Sequence, residues 1–165
     1  MQIGIAGTGK MGTAIAQRLL EVGHEVTAWN RTADKLDAVA RAGAATARTP
    51  AELARRSQAI ITLLTDAAAI DAVYCGTAGL LAGDVAGKLL VEMSTVEPRT
   101  EVALAEKARA KGAAFVECPV GGSTGPARQG KLIGLMGSET PCAPSRSSIS
   151  SAADSSIVAR LAPAR

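Results

Sequence analysis

The apolar positions of this chain fall into short runs that alternate with stretches of helical spacing. The first run is Gln2-Ile3-Gly4-Ile5-Ala6. A glycine-rich hexapeptide follows, Gly7-Thr8-Gly9-Lys10-Met11-Gly12, and then a helical pattern over 14–20. A second strand-like run, Glu25-Val26-Thr27-Ala28-Trp29, ends in Asn30-Arg31-Thr32. The pattern next predicts a helix over 34–41, stopped near Gly43. Another starts at Thr49-Pro50, with Thr49 as N-cap and Pro50 at the first helical position. The continuous apolar run over 59–64 predicts a parallel strand buried on both faces. A helix over 67–74, a strand over 88–93, a helix over 98–111 ended by Gly112, and strands over 114–117 and 131–136 complete the series. Strands alternating with helices predict an α/β fold with a doubly wound, mostly parallel sheet. Its ligand crevice lies beyond the carboxyl ends of the strands.

Each glycine of the hexapeptide has its own physical job. Gly7 permits a tight turn off the strand, Gly9 lets the backbone approach a pyrophosphate, and Gly12 lets the helix pack close to the strand. Phosphates then sit at the helix N-terminus, where unpaired N–H groups and the helix dipole favour an anion. Strand, glycine turn, helix and second strand are together the context that gives such a motif its meaning, a Rossmann-like nucleotide site. The whole hexapeptide, Gly7, Thr8, Gly9, Lys10, Met11 and Gly12, is therefore read as cofactor-binding. The end of the second strand selects the nucleotide. A site built for NAD places Asp or Glu there to bond the ribose 2′-hydroxyl. This chain has Asn30-Arg31-Thr32 and no carboxylate. Arg31 can pair with a 2′-phosphate through a charged, planar fork, and Asn30 and Thr32 can add neutral hydrogen bonds. The pattern predicts NADP (NADPH) in preference to NAD. The plainer alternative makes Arg31 a solvated arginine and Thr32 the N-cap of the next helix.

Composition narrows the picture. The 165 residues allow one domain, or one domain plus a fragment. The hydrophobic share of 47% supplies a core, and with so few aromatics that core must be Ala, Val, Leu and Ile. The net charge of +3 is modest and the basic residues are dispersed, so no nucleic-acid surface is expected. Cys75, Cys118 and Cys142 are odd in number and lack C-x-x-C spacing. They argue against a disulfide framework or a zinc site and fit a reducing cytoplasm. No apolar run approaches the roughly 20 residues that a membrane span needs, and the N-terminus enters a strand at once, unlike a signal peptide. After Gly137 the chain changes character: all 17 glycines lie at or before it, and eight of the eleven serines lie beyond it. Residues 1–137 therefore read as the cofactor domain. Residues 138–165 read as a low-complexity tail, disordered or out of frame.

Other candidates sit at the same crevice edge. Leu64-Thr65-Asp66 and Glu92-Met93-Ser94-Thr95 each follow a strand, where backbone groups and hydroxyls can touch a cofactor; the alternative is a polar strand-to-helix turn. The loop over 118–130 is rich in glycine and proline. The exposed N–H groups around Gly121 and Gly122 and the hydroxyl of Ser123 can hold a carboxylate there. The alternative is a structural loop. His24, the only histidine, lies at the opposite end of its strand and reads as structural, so no Ser–His–Asp logic is available. Cys118 reads as a small buried residue.

Together these landmarks resemble the β-hydroxyacid dehydrogenase family. That family includes 3-hydroxyisobutyrate dehydrogenases, tartronate semialdehyde and glyoxylate/succinic semialdehyde reductases and, more distantly, 6-phosphogluconate dehydrogenase and imine reductases. The match covers 1–137. It rests on Gly7-Thr8-Gly9-Lys10-Met11-Gly12, Trp29-Asn30-Arg31-Thr32, Thr62-Leu63-Leu64, Ser94-Thr95, Pro119-Val120-Gly121-Gly122 and Gly130-Lys131-Leu132. The resemblance implies an oxidoreductase that moves hydride between NADP(H) and a small β-hydroxy acid or semialdehyde. It implies cofactor contacts at Leu64, Thr65 and Thr95, and a substrate-carboxylate clamp at Ser94, Gly121, Gly122 and Ser123. Many members carry a serine where this chain has Gly121, and Ser123 can serve in its place.

The family also carries a catalytic lysine on a long helix after a second glycine-rich segment, and then an all-helical domain that makes the dimer. The last lysine here is Lys131, before that helix would begin, so no residue matches the catalytic position. General acid–base catalysis, worth about 10²- to 10⁴-fold, is then expected to be missing. Codons for 155–165 can be chosen so that a shifted frame reads a Gly-Pro-x-Gly-x-Gly run, of the kind the family shows before its lysine, and a frameshift near Ser138 is the expected origin of the tail. The alternative function is thus a non-catalytic NADP-binding fragment, with an imine-reductase-like domain ranked below it. Without a helical partner, exposed apolar surface and self-association are expected.

Overall fold

Apolar runs alternating with helices build a six-stranded, all-parallel sheet in the computed structural model, which describes residues 1–135. The strands are β1 (Gln2–Ala6), β2 (Glu25–Trp29), β3 (Ala45–Thr46), β4 (Ala59–Thr62), β5 (Leu89–Glu92) and β6 (Ala114–Glu117), in spatial order β3-β2-β1-β4-β5-β6. The chain order reverses between β1 and β4, the switch point at which an open α/β sheet ordinarily takes its ligand, beyond the strands' carboxyl ends. One rung of the sheet shows why that edge gathers the candidate residues. Trp29 pairs with Ala6, Ala6 with Thr62, Thr62 with Glu92, and Glu92 with Glu117. Every segment singled out in the sequence follows one of these residues.

Helices cover both faces. Ile3, Ile5, Val26, Ile61 and Val91 pack on one face against α1 (Lys10–Glu21) and Val39 of α2 (Asp37–Arg41). Ile60 and Leu90 pack on the other against α3 (Pro50–Arg55), α4 (Ala67–Cys75) and α5 (Pro98–Ala110). The side chains at the middle of the sheet are almost all branched aliphatics, as the aromatic-poor composition requires. Thr49 caps α3 as its spacing predicts: its Oγ1 accepts from the Glu52 N–H at 3.1 Å, and Pro50 opens the helix.

Three elements differ from the sequence pattern. The helix expected over 34–41 begins as a 3-10 turn, Ala33–Leu36, none of whose residues is fully buried; Val39 of α2 is the buried core residue of this stretch. The strand expected over 131–136 is a two-residue element, β8 (Ile133–Gly134). It pairs antiparallel with β7 (Val120–Gly121) outside the main sheet, after the chain turns back at Gly130 with φ +67°. Between them the loop carries α6 (Thr124–Arg128), hidden in the sequence by Gly125 and Pro126. A proline in the first helical turn is tolerated because the N–H it lacks has no intrahelical partner there. Met136 and the expected tail over 138–165 lie outside the described residues. Ile133 and Leu135, at the β8 end of this hairpin, expose 68% and 64% of their surface. No helix among the described residues is long and apolar enough to cross a membrane.

Candidate cofactor-binding site

The glycine turn sits at the carboxyl end of β1, held between its neighbours. The Gly7 N–H donates to Trp29 O of β2 at 2.9 Å, and the Leu63 N–H beyond β4 donates to Ala6 O at 2.9 Å. Gly7 has φ +102°, and a Cβ there would lie 2.1 Å from Leu63 O. Gly12 brings α1 against the turn so closely that a Cβ would lie 1.9 Å from Gly7 O. These two glycines are demanded by the protein itself. Gly9 is different: it is exposed, and a Cβ on it would meet nothing within 4 Å.

The start of α1 suits an anion. Gly9 is the N-cap and makes no side-chain cap bond, and the first turn carries no acidic residue. The N–H groups of Lys10, Met11 and Gly12 precede the first intrahelical bond, which runs from the Thr13 N–H to Gly9 O at 2.9 Å. Open space at Gly9, free donors and the Lys10 charge together fit the pyrophosphate of a dinucleotide.

Asn30, Arg31 and Thr32 follow β2 directly. Arg31 and Thr32 are exposed. Asn30 faces inward: its Oδ1 accepts from the Thr8 N–H at 3.1 Å, and its Nδ2 donates to Thr32 O at 3.0 Å. Its amide thus braces the turn rather than standing free. Thr32 does take the N-cap position of the 3-10 turn that follows, but its side chain makes no cap hydrogen bond there. Across the crevice, Asp66 caps α4. Its carboxyl is held below its ordinary value first by the Ala69 N–H, then by the Thr65 hydroxyl, with a smaller part from the charge of Arg31.

Ser94 is 6% exposed and locks two strand ends together. Its Oγ accepts from the Leu64 N–H at 2.8 Å, and its own N–H donates to Glu92 Oε1 at 2.8 Å. Thr65 and Thr95 are exposed at the same edge. Gly121, Gly122 and Ser123 are exposed on the β7 side of the hairpin, and Ser123 precedes α6 without using its side chain as a cap. His24 lies at the start of β2, the far end from the crevice. Cys118 is buried, which pushes its thiol up.

Under this edge lies a polar network that the sequence pattern does not reveal. Glu92 is fully buried, with Oε2 against the Thr62 hydroxyl. Thr62 Oγ1 and Tyr74 Oη are 2.8 Å apart, both buried. Burial raises Glu92 above its ordinary value, against the pull of bonds from Ser94 and Thr62. Glu101 of α5 is 3% exposed, and neither carboxyl oxygen has a hydrogen-bond partner. Burial first, then the charges of Glu92 and Glu117, push it up to about 7 from 4.5. The only sequence trace is a carboxylate at the end of the apolar run over 89–92.

The consequence for stability has a definite sign. The folded chain keeps a proton on Glu101 that the unfolded chain releases near 4.5. This contribution is therefore full below the unfolded value and is lost as pH rises through the folded one. Glu101→Gln should flatten the fall in unfolding free energy between about pH 4.5 and 7 by about 2 kcal/mol. Glu92 keeps its own share of the slope. Superimposable denaturant profiles for variant and wild type across that range contradict this assignment.

Comparisons with known proteins meet the geometry here. The model of the NAD-binding domain of 6-phosphogluconate dehydrogenase matches residues 2–153. Glyoxylate/succinic semialdehyde reductase 1 of Arabidopsis thaliana is 39% identical over 133 residues, 81% of this chain and 46% of the relative. The cytokine-like nuclear factor N-PAC of Danio rerio is 39% identical over 132 residues, 80% of this chain and 29% of the relative. A solved structure of Psf3 in complex with NADP+ and 2-OPP superposes with a TM-score of 0.77 at 32% identity, covering 81% of this chain and 48% of that one. The chain spans less than half the length of these relatives. The fold and its glycine turn define an NAD(P)-binding domain. The chain belongs to the 6-phosphogluconate dehydrogenase NAD-binding family, within the wider group of hydroxyacid dehydrogenases.

Proposed function

We propose that this chain holds NADP(H) for hydride exchange with a small β-hydroxy acid or semialdehyde. The observation that carries the reading is Arg31, exposed and without a neighbouring carboxylate on its own segment, next to a turn ready for an anion. The nicotinamide supplies the hydride when bound; the chain's residues supply position and charge. The Gly9 backbone and the N–H groups of Lys10, Met11 and Gly12 hold the pyrophosphate. Arg31 and the Thr32 hydroxyl take the 2′-phosphate, and the Asn30 amide fixes the segment that bears them. Leu64, Thr65 and Thr95 line the cofactor's path along the sheet edge. Gly121, Gly122 and Ser123 receive the substrate carboxylate, and the buried Ser94, which the sequence also placed there, holds the strand end beside it through its bond to the Leu64 N–H. The reductase relative and the NADP+ complex support this assignment by likeness.

A second reading, a cofactor-binding module without turnover, is supported by one feature. No lysine follows Lys131 in these residues, so the proton-transfer lysine that the resemblance implies is not among them. On that reading the chain binds and orients the cofactor while reduction of a carbonyl stays slow.

Arg31→Ala tests the cofactor choice. NADPH affinity should fall about ten- to thirty-fold, the loss of one charge-assisted pairing, while NADH affinity stays within about two-fold. Equal losses for the two cofactors contradict the NADP assignment.

A further inference from the structure

We propose that Thr8 is a positioning residue for cofactor choice, tethering the Arg31 segment to the glycine turn. The inference rests on the NADP reading above and goes beyond it. Thr8 sits in the middle of the turn, yet it is 3% exposed, while Gly9 beside it is exposed. Its side chain points away from the open space at Gly9 and into the protein. Thr8 Oγ1 donates to Lys35 O at 2.9 Å, across 27 residues of sequence. The Thr8 N–H donates to Asn30 Oδ1 at 3.1 Å, and Thr8 O accepts from Thr13 Oγ1 at 3.1 Å. One residue thus joins the turn, the end of β2, the 3-10 turn and α1.

The segment it holds has little else to fix it. Ala33–Leu36 contains no buried residue, and Leu36 packs on the core only as a half-buried side chain. Asn30 Nδ2 fastens the near side of the segment at Thr32 O, and Thr8 Oγ1 fastens the far side at Lys35 O. Arg31 lies directly before the first of these points, bracketed by Asn30 and Thr32, and the Lys35 tether fixes the course of the chain just beyond it. An arginine on a loosely held loop must be ordered when a 2′-phosphate arrives, and that ordering weakens binding. The tether removes this requirement before the cofactor binds. The pyrophosphate is held by backbone N–H groups that do not need the Thr8 hydroxyl, so the effect falls on NADPH and spares NADH.

The test compares NADPH and NADH affinities of the full chain for wild type, Thr8→Val, Thr8→Ala and Thr8→Ser, with hydrogen exchange read over residues 31–36. Circular dichroism checks that each variant folds. Alanine removes the same hydroxyl with no added bulk should valine disturb the packing. Thr8→Val and Thr8→Ala are expected to lose roughly three- to ten-fold in NADPH affinity, with NADH within about two-fold and faster exchange over 31–36. Thr8→Ser restores the hydroxyl and should return both the ratio and the protection toward wild type. A wild-type preference for NADPH that a folded Thr8→Val or Thr8→Ala chain retains overturns the inference alone. Equal loss of both cofactors also overturns it, because Thr8 then only shapes the turn. A wild-type chain that binds the two cofactors equally fails the NADP reading itself, and the inference with it.

Discussion

Gly9→Ala should cut NADPH affinity about a hundred-fold while leaving thermal stability within a degree or two of wild type, since a hundred-fold loss is about 2.7 kcal/mol of binding alone. The protein has no reason of its own for glycine at this position. The backbone of Gly9 is extended, with φ −66° and ψ −171°, a conformation open to any residue. Its missing Cβ faces open space. Alanine is a slightly poorer N-cap than glycine, a difference well under 1 kcal/mol. On the proposed reading, the open side of Gly9 is where a pyrophosphate comes close to the backbone at the α1 N-terminus, and a Cβ would stand in its way. Calorimetric titration with NADPH and a thermal melt read the two halves of the prediction. Undiminished affinity in the variant removes the pyrophosphate from this turn.

Gly12→Ala should show the reverse pattern, with the fold as the casualty. A Cβ at Gly12 would lie 1.9 Å from Gly7 O and 3.1 Å from the Gly7 carbonyl carbon. Both neighbours are backbone of the turn, and Gly7 is itself pinned to Trp29 O. No side chain can rotate away to make room. Helix α1 must lift off β1, opening the packing of Ile15 and Leu19 on Ile3 and Ile5. A loss of more than about 3 kcal/mol in unfolding free energy is expected, enough to unfold a marginal domain. Urea denaturation monitored by circular dichroism measures it. A Gly12→Ala chain with wild-type stability means that α1 does not pack on the turn as described. Glycines three residues apart in one motif thus serve different masters, ligand and helix.

The opening strand, turn, helix and second strand were legible in the sequence because each has a local cause. Apolar runs make β1 and β2, glycine makes the turn, and 3.6-residue spacing makes α1. Thr49 and Pro50 announced α3 for the same reason. The parallel, doubly wound character was legible in the alternation of strands and helices, whereas the strand order and the shared rung at the sheet edge come from the structure. The interior of the candidate site was less legible. Asn30 at a strand end looks the same in sequence whether its amide faces a ligand or braces the protein, and the structure turns it toward Thr8 and Thr32. Thr8 is read from the sequence as cofactor-binding with the rest of its hexapeptide, yet its hydroxyl turns inward to Lys35 O, and no local period encodes a bond over 27 residues. Glu101 gave no signal, and Glu92 showed only as a carboxylate closing an apolar run, with nothing to say that it is buried. Each is one carboxylate in a stretch whose neighbours set the pattern, and what buries them comes from other strands and helices. The β7–β8 hairpin escaped because Ile133 and Gly134 pair away from the main sheet, whose strands the pattern was read to continue.

On the reading proposed above, these residues form an NADP site. The most direct measurement is a titration of the full chain with NADPH and with NADH, read by the fluorescence of Trp29. This single tryptophan lies two residues before Arg31, with its Nε1 bonded to Arg48 O at 3.3 Å. The account predicts a saturable change with NADPH at a concentration at least about ten-fold lower than with NADH, the difference that one well-placed arginine makes. No saturable change with either nucleotide, or equal affinity for both, contradicts it.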